Sequence, residues 1–310
     1  MSAEAPGQDT ELRADEHAER FTRLRPLLFT IAYEILGSAT EADDVLQDSY
    51  LRWSQVDLDA VRDTKSYLAK VVTRQALNTV RASSRRREDY VGPWLPEPLL
   101  LDERDASSDA VLAESVSMAM LVVLETLTPD ERAVFVLHEV FGFGHQEIAS
   151  AVGKSVIAVR QTAHRARRNV QARRKRFAPV DAAETARITG QFMAATATGD
   201  LDGLLALLAP DAVWTADSGG KTTAARRPLV GAAKVAAAVL DIFGKRKRTP
   251  GLRIETVNCN GAPAIAAYVE DRLEGVFLLA TADGRITDFF AVRNPDKLRA
   301  MAETHRISRR

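Results

Sequence analysis

The chain has 310 residues, with 42 basic and 42 acidic side chains and one cysteine, Cys259. That is room for two or three domains, and a hydrophobic share of 46% with 27% charged residues fits a globular protein. A lone cysteine excludes an intramolecular disulfide and a cysteine zinc cluster, so Cys259 is expected as a buried, inert thiol and no metal or cofactor set is expected. Zero net charge does not exclude nucleic acid, because the charge is segregated: acids gather at Glu41, Asp43, Asp44 and Asp48 and at Asp102, Glu103, Asp105 and Asp109, and bases at Arg81 to Arg87 and Arg160 to Arg176. The start is polar with no apolar signal core. The longest apolar runs, such as Met118 to Leu124, are too short to span a bilayer, so no membrane partner is expected and the location is expected to be cytoplasmic.

Residues 1 to about 16 read as a frayed leader. From His17 to Leu36, Phe21, Leu24, Leu28, Ile31 and Ile35 share one helical face, and Gly37 ends the helix. Thr40 is expected to cap the next helix. It turns Ala42, Val45, Leu46, Ser49 and Trp53 inward and Asp43, Asp44, Gln47 and Asp48 outward, with both aspartates in the first turn, where the helix dipole favours them. From Lys65 to Arg86 the apolar set is Tyr67, Leu68, Val71, Val72, Ala76 and Val80, and the polar set is Lys65, Lys70, Arg74, Gln75, Asn78 and Arg81. Cations beside the rings of Tyr67 and Trp53 suit single-stranded DNA, where bases stack on rings; core packing of the two rings is the other reading. Residues 88 to 110 carry Pro93, Pro96 and Pro98, which forbid a continuous helix. Trp94, Leu95, Leu99, Leu100 and Leu101 give this linker more apolar surface than a solvated connection needs, so it is expected to dock.

Ala110 to Thr126 reads as one amphipathic helix, and Thr128-Pro129-Asp130-Glu131 opens the next. Gln146 to Ala151 is a short helix with Ile148, Ala149 and Val152 inward. Gly153 sits at a sharp bend, and Ser155 caps a second helix with Val156, Val159, Ala163 and Ala166 on one face. Its other face carries Arg160, Gln161, His164, Arg165 and Arg168. This is a helix-turn-helix whose second helix fits the DNA major groove; the alternative is a helical hairpin with a solvated basic face. Arg160, Gln161 and Arg165 are the candidates for base edges. Arg168, Arg173 and Arg174 are candidates for phosphates, and His164 fits either role.

The ordered segments DDVLQDSYLRW, SYLAKVVTRQALNTVRASSRRR and LTPDERAVFVLHEVFGFGHQEIASAVGKSVIAVRQTAHRARR resemble an extracytoplasmic-function sigma factor. The resemblance implies sigma region 2 at residues 17–88, a Pro-rich linker at 89–109, and region 4 with its helix-turn-helix at 110–176. It implies core RNA polymerase as partner through the β′ clamp helices and the β flap, with Asp43, Asp44, Gln47 and Asp48 docking. It also implies that Lys65, Tyr67, Lys70, Arg74, Asn78 and Arg81 open and read the −10 element, and that the second helix of the helix-turn-helix reads the −35 element of promoter DNA.

The chain continues well beyond such a minimal factor. Asp181–Thr198 and Asp200–Leu208 read as helices, with Pro210 a stop, then Ala212–Ala216 as a strand and Gly231–Phe243 as a helix. Strands follow at 253–258, 264–269, 275–281 and 286–292, the last two joined as a hairpin. The fold class is therefore a mainly α N-terminal half plus an α+β C-terminal half with antiparallel strands curled around helices. Residues 180–310 resemble the SnoaL-like, NTF2-like cone fold shared with ketosteroid isomerases and polyketide cyclases. Trp94-Leu95-Pro96-Glu97-Pro98, Asp217-Ser218-Gly219-Gly220-Lys221 and Asn294-Pro295-Asp296-Lys297-Leu298 resemble motifs of a sigma-factor subgroup with a fused tail of this kind. Ser218 departs from the subgroup's glycine. The expected role is regulatory, through intramolecular contact with regions 2 and 4, with a small ligand in the cone pocket a further possibility. An isomerase-like enzyme needs a buried acid or base. Asp217, Asp271 and Asp288 are the carboxylates near the expected strands and His305 lies in the tail, but they form no convergent set, and no enzyme is expected.

Overall fold

The structure is a computed structural model that describes residues 6–102, 109–174, 182–244 and 249–310. Glu103, Asp105, Lys175 and Arg176, and the side chains of Arg85 to Arg87 and Arg174, lie outside what is described. The helices are α1 (Pro6–Leu36), α2 (Ala39–Trp53), α3 (Thr64–Glu88), α4 (Ala110–Ser115), α5 (Met118–Leu124), α6 (Pro129–Phe135), α7 (His145–Val152), α8 (Val156–Arg174), α9 (Ala182–Thr198), α10 (Leu201–Leu207), α11 (Ala232–Gly244) and α12 (Pro295–Leu298). The strands are β1 (Leu208–Asp217), β2 (Leu229–Val230), β3 (Leu252–Cys259), β4 (Ala262–Val269), β5 (Arg272–Ala282) and β6 (Arg285–Val292). Contacts divide the chain into two units: residues up to Ala82 with Thr128–Arg167 and Ile307–Arg310, and Ser83–Leu127 with Arg168–Arg306.

The first unit is helical. Phe21, Leu28, Ile31 and Ile35 of α1, Val45, Leu46 and Trp53 of α2, and Leu68, Val72 and Ala76 of α3 are buried, as their spacing predicts. Helix α1 starts at Pro6 rather than near His17. Residues 11–20 are rich in Ala, Glu and Arg, strong helix formers, and proline suits a first helical turn. The cap of α2 is Ser38, not Thr40: Ser38 is extended (φ −136°) and its Oγ accepts from Glu41 N–H at 3.0 Å. Asp43 and Asp44 therefore lie just past the first turn, which holds Glu41 as its acid. Thr128 caps α6 in a full capping box with Glu131. A single π-helical turn, Val136–Val140, then leads toward α7.

The Ala110–Thr126 stretch is two helices, not one. Ser117 Oγ accepts from Met120 N–H (3.2 Å) and restarts the chain as an N-cap, the competition with the helix ladder that serine favours. Both α4 and α5 belong to the second unit.

Among the described residues, the second unit has a six-stranded sheet in the order β2-β1-β6-β5-β4-β3. β1 runs parallel to β6, a correction to the antiparallel expectation, and the other pairs are antiparallel. The helix expected to be stopped by Pro210 ends at Leu207, and Pro210 itself lies within β1, where the ladder to β6 is interrupted between Leu208 and Val213 and a missing N–H is tolerated. Asp283 (φ 51°) and Gly284 (φ 71°) form the two-residue hairpin between β5 and β6.

Each face of the sheet is covered. On one, α9, α10 and α11 enclose Phe192, Leu204, Val235, Val239 and Phe243 with Trp214, Phe277 and Phe289 of the strands, and Trp214 stacks on Phe289 at 4.3 Å. On the other, Leu95 of the linker, Met118 of α5, and Leu298 and Met301 pack on Val276, Leu278, Phe290 and Val292. Each such side chain stabilises by about 1.5–3 kcal/mol when fully buried. The linker does dock: Leu100 bridges Cys259, and Leu101 N–H donates to the Asn258 carbonyl (3.2 Å). Asn260 holds three groups at once, the N–H of Leu99 (3.0 Å), the carbonyl of Leu99 (2.9 Å) and the carbonyl of Val116 (2.8 Å). Burial pushes the Cys259 thiol up to about 12, which keeps it protonated and unreactive.

Candidate functional site

Helix α8 is set by the turn before it. Gly153 takes φ 72° and ψ 35°, and the N–H groups of Gly153 and Lys154 both close on the Ala149 carbonyl (3.0 and 3.1 Å). Any residue with a Cβ is strained there, although nothing lies within 4 Å of the position the Cβ would take. Ser155 Oγ accepts from Ala158 N–H at 3.2 Å. Val159, Ala163, Ala166 and Val170 are buried, whereas Arg160, Gln161, His164, Arg165 and Arg168 are all exposed. Arg165 reaches Glu131 at 3.5 Å, a surface pair worth little.

On α2, Asp44, Gln47 and Asp48 are exposed, and Asp43 is partly covered and bonded to Arg25 at 2.8 Å. Helix α3 presents a different picture from the open cationic face expected of it. Arg74 donates to the carbonyls of Ser150 (2.8 Å) and Ala151 (3.2 Å) on α7. Arg81 pairs with Asp130 at 2.7 Å, and Lys154 takes the other oxygen of Asp130 at 2.5 Å. Burial would raise the Asp130 pKa, but the Lys154 and Arg81 hydrogen bonds lower it more. Ser66 donates to Glu147 (2.8 Å), and the Lys65 ammonium lies 5.9 Å from the Phe143 ring. Protein acceptors thus occupy Arg74 and Arg81, while Asn78 is exposed and Lys70 partly so. Trp53 is not available to stack a base: it is buried, its indole N–H donates to the His17 carbonyl (2.9 Å), and Tyr67 leans on it at 5.7 Å.

In the second unit the three short motifs converge. Asp217, at the end of β1, accepts from Leu95 N–H (2.8 Å) and from the Tyr90 hydroxyl, and pairs with Lys297 at 2.7 Å. The Lys297 ammonium also donates to the Leu95 carbonyl and lies 3.3 Å from the Trp94 ring centroid. Asn294 donates to the Tyr90 oxygen at 2.8 Å. Burial lowers the Lys297 pKa, with Asp217 acting the other way; burial and then the Asp217 contact raise that of Tyr90. Gly219 (φ 57°) is required here, since a Cβ would stand 2.6 Å from Asn294 Nδ2 and 3.0 Å from the Tyr90 hydroxyl. Gly220 is close against Val91, and Ser218 needs no positive φ, so serine is accommodated where the subgroup carries glycine. Lys221 pairs with Asp296 at the surface, Asn294 caps α12 with Pro295 opening it, and Pro96 is buried in the linker. Tyr90 and Lys297 carry this clasp; Lys297 stood inside a quoted motif without a role of its own, and Tyr90 in none. A lysine flanked by the apolar Leu298 and Met301, matched to an aspartate ending an apolar strand, was the available signal.

Of the acid and base groups weighed for catalysis, Asp217 is spent in this pair, Asp271 is exposed, Asp288 is buried within β6, and the His305 backbone bonds to the Leu100 carbonyl. They do not converge.

Residues 20–86 match the Sigma-70 region 2 family, 117–170 Sigma-70 region 4, and 189–289 the SnoaL-like domain family. The ECF RNA polymerase sigma factor SigJ of Mycobacterium tuberculosis is 35% identical over 289 residues, covering 89% of this chain and 91% of its own. The chain belongs to the extracytoplasmic-function sigma factors. A second relative of this sigma factor, the probable ECF RNA polymerase sigma factor SigI of Mycobacterium tuberculosis, is 31% identical over 88% of this chain and 92% of its own. The crystal structure of Mycobacterium tuberculosis SigJ aligns with a TM-score of 0.73 at 31% identity, over 91% of this chain and 98% of that one. This sigma factor is thus a transcription-initiation protein with a fused SnoaL-like domain. Among the described residues no helix is long and apolar enough to cross a membrane.

Proposed function

We propose that this sigma factor binds core RNA polymerase through Asp43, Asp44, Gln47 and Asp48 of α2. In this reading it reads the −35 element with α8, opens and reads the −10 element with α3, and is controlled by its C-terminal unit. The observation that carries this reading is α8 itself: five polar or cationic side chains on one exposed face, aimed by a left-handed glycine, with the opposite face buried. Arg160, Gln161 and Arg165 have the reach and donors for base edges, and Arg168 suits a phosphate. Control by the C-terminal unit is supported by the clasp, which holds the linker between the two sigma regions through a buried ion pair. The proposed role calls for no catalysis, and polymerase and promoter place it in the cytoplasm.

Arg160→Ala is expected to weaken −35 binding by about 1–3 kcal/mol and to relax sequence preference at one position. Gel shifts with core enzyme on promoter and scrambled DNA measure this, and unchanged affinity and preference would remove α8 from the reading. Reversing the charge at both Asp44 and Asp48 to lysine is expected to lower the fraction of chain that co-purifies with core polymerase. Normal recovery at physiological salt would mean that α2 docks elsewhere.

A further inference from the structure

The helix-covered side of the sheet is not filled to its end. Beside the aromatic cluster, α11, β3, β4 and β5 leave a cavity of about 440 Å³. Its walls are apolar, from Ile242 and Phe243 of α11, Leu252 and Ile254 of β3 and Phe277 of β5. That volume falls within the usual span for small-molecule sites, which are largely apolar with a few placed polar groups. One of those groups here is the guanidinium of Arg293. Its Nη1 donates to the Thr223 carbonyl at 2.6 Å, and among the described residues it makes no ion pair, which leaves most of its fork of donors for a ligand. The two acids on the same wall are already engaged: Glu274 pairs with Arg272 at 2.6 Å, and Asp241 has a partner of its own. Arg293 is the cation among the lining residues, and its fork is what a ligand would meet.

Arg293 is also where the cavity meets the clasp. Its backbone N–H donates to the Asp217 carbonyl at 2.7 Å, and its carbonyl accepts from Thr222 Oγ1 at 3.2 Å. The next residue, Asn294, donates to Tyr90. An anion that fixes Arg293 thereby fixes both chain segments that hold the linker.

We propose that the cavity binds a small amphiphilic carboxylate, with its apolar body against Phe243 and Phe277 and its carboxylate on Arg293, and that occupancy tightens the hold of Asp217, Tyr90 and Lys297 on the linker. The regulatory meaning rests on the role proposed above for the C-terminal unit, whereas the binding itself does not. A ligand that binds the clasped form more tightly must stabilise that form.

The test uses the full chain with decanoate as probe and decanol and decylamine as charge controls, followed by calorimetry and by amide hydrogen exchange at Leu95. Saturable one-to-one binding of decanoate is expected, weakened about ten-fold or more by Arg293→Gln, partly kept in Arg293→Lys, and weaker for both controls. Ala267→Trp, which fills the cavity, is expected to abolish binding. Should that variant unfold, the Arg293 pair decides alone. Decanoate is expected to slow exchange at Leu95. No binding at millimolar decanoate, or equal binding by decanol or by Arg293→Gln, overturns the anion site. Binding without slower exchange at Leu95 overturns the coupling. If binding and slowing both occur while promoter-directed transcription does not respond, the ligand site stands and the regulatory role of the C-terminal unit falls.

Discussion

Asp217→Ala is expected to destabilise the C-terminal unit by about 3–5 kcal/mol, because removing one partner strands the other as an unpaired buried charge. The side chains of Asp217 and Lys297 are 0% and 4% exposed, so water cannot take over as partner. The loss also leaves the N–H of Leu95 and the hydroxyl of Tyr90 without their acceptor. Replacing the pair together, Asp217→Leu with Lys297→Met, is expected to restore most of the stability, as apolar substitutes for buried pairs commonly do. That double variant would hold the linker without the ion pair, through packing and the bonds of Leu99 and Leu101 to Asn260 and Asn258. Urea unfolding in a Trp53→Phe background isolates the effect, since Trp94 and Trp214 then report the C-terminal unit. A loss below about 1 kcal/mol, the range of exposed pairs, would mean that the carboxylate is solvated after all.

Trp53→Ala is expected to cost the first unit about 3–5 kcal/mol, the range for deleting a buried aromatic. Trp53 is 1% exposed, meets His17 edge-on at 5.2 Å and anchors the end of α2 to α1 through its indole N–H. Trp53→Phe keeps most of the packing and loses the hydrogen bond, so a smaller loss is expected. The pair of variants also separates structure from DNA contact. With core polymerase, permanganate footprinting of the −10 strand should show Trp53→Phe opening the duplex as well as the parent does. A folded Trp53→Phe protein that fails to open DNA would restore Trp53 as a stacking surface.

What could be read from sequence depended on how local its cause was. The face of α8 was legible because Val159, Ala163 and Ala166 recur at helical steps and Gly153 stands where the chain must turn. The cap of α2 was misplaced because Ser38 and Thr40 both carry hydroxyls two residues apart; the left-handed Gly37 sets Ser38 extended, and the choice follows from that. Apolar spacing runs through Ala110–Thr126 without marking the break, because Ser117 acts on the backbone rather than on the pattern. The engagement of Arg74 with α7 had no signal at all, being a contact across 76 and 77 positions. The clasp motifs were visible as strings of residues, but their meeting was not. Asp217 reaches Leu95 across 122 positions and Lys297 across 80, and nothing in either string specifies that β1 and β6 run side by side in the same direction.

That parallel pairing has a consequence for synthesis. Two strands running the same way leave the sheet at the same end, which is why Asp217 and Asn294 exit together; a hairpin pairing would have sent them to opposite ends. β6 is the last strand of the sheet to leave the ribosome, after both sigma regions. At about 5–20 residues per second, the C-terminal unit lags α8 by on the order of ten seconds. For that interval each newly made chain carries both sigma regions before the residues that grip its linker have been brought together.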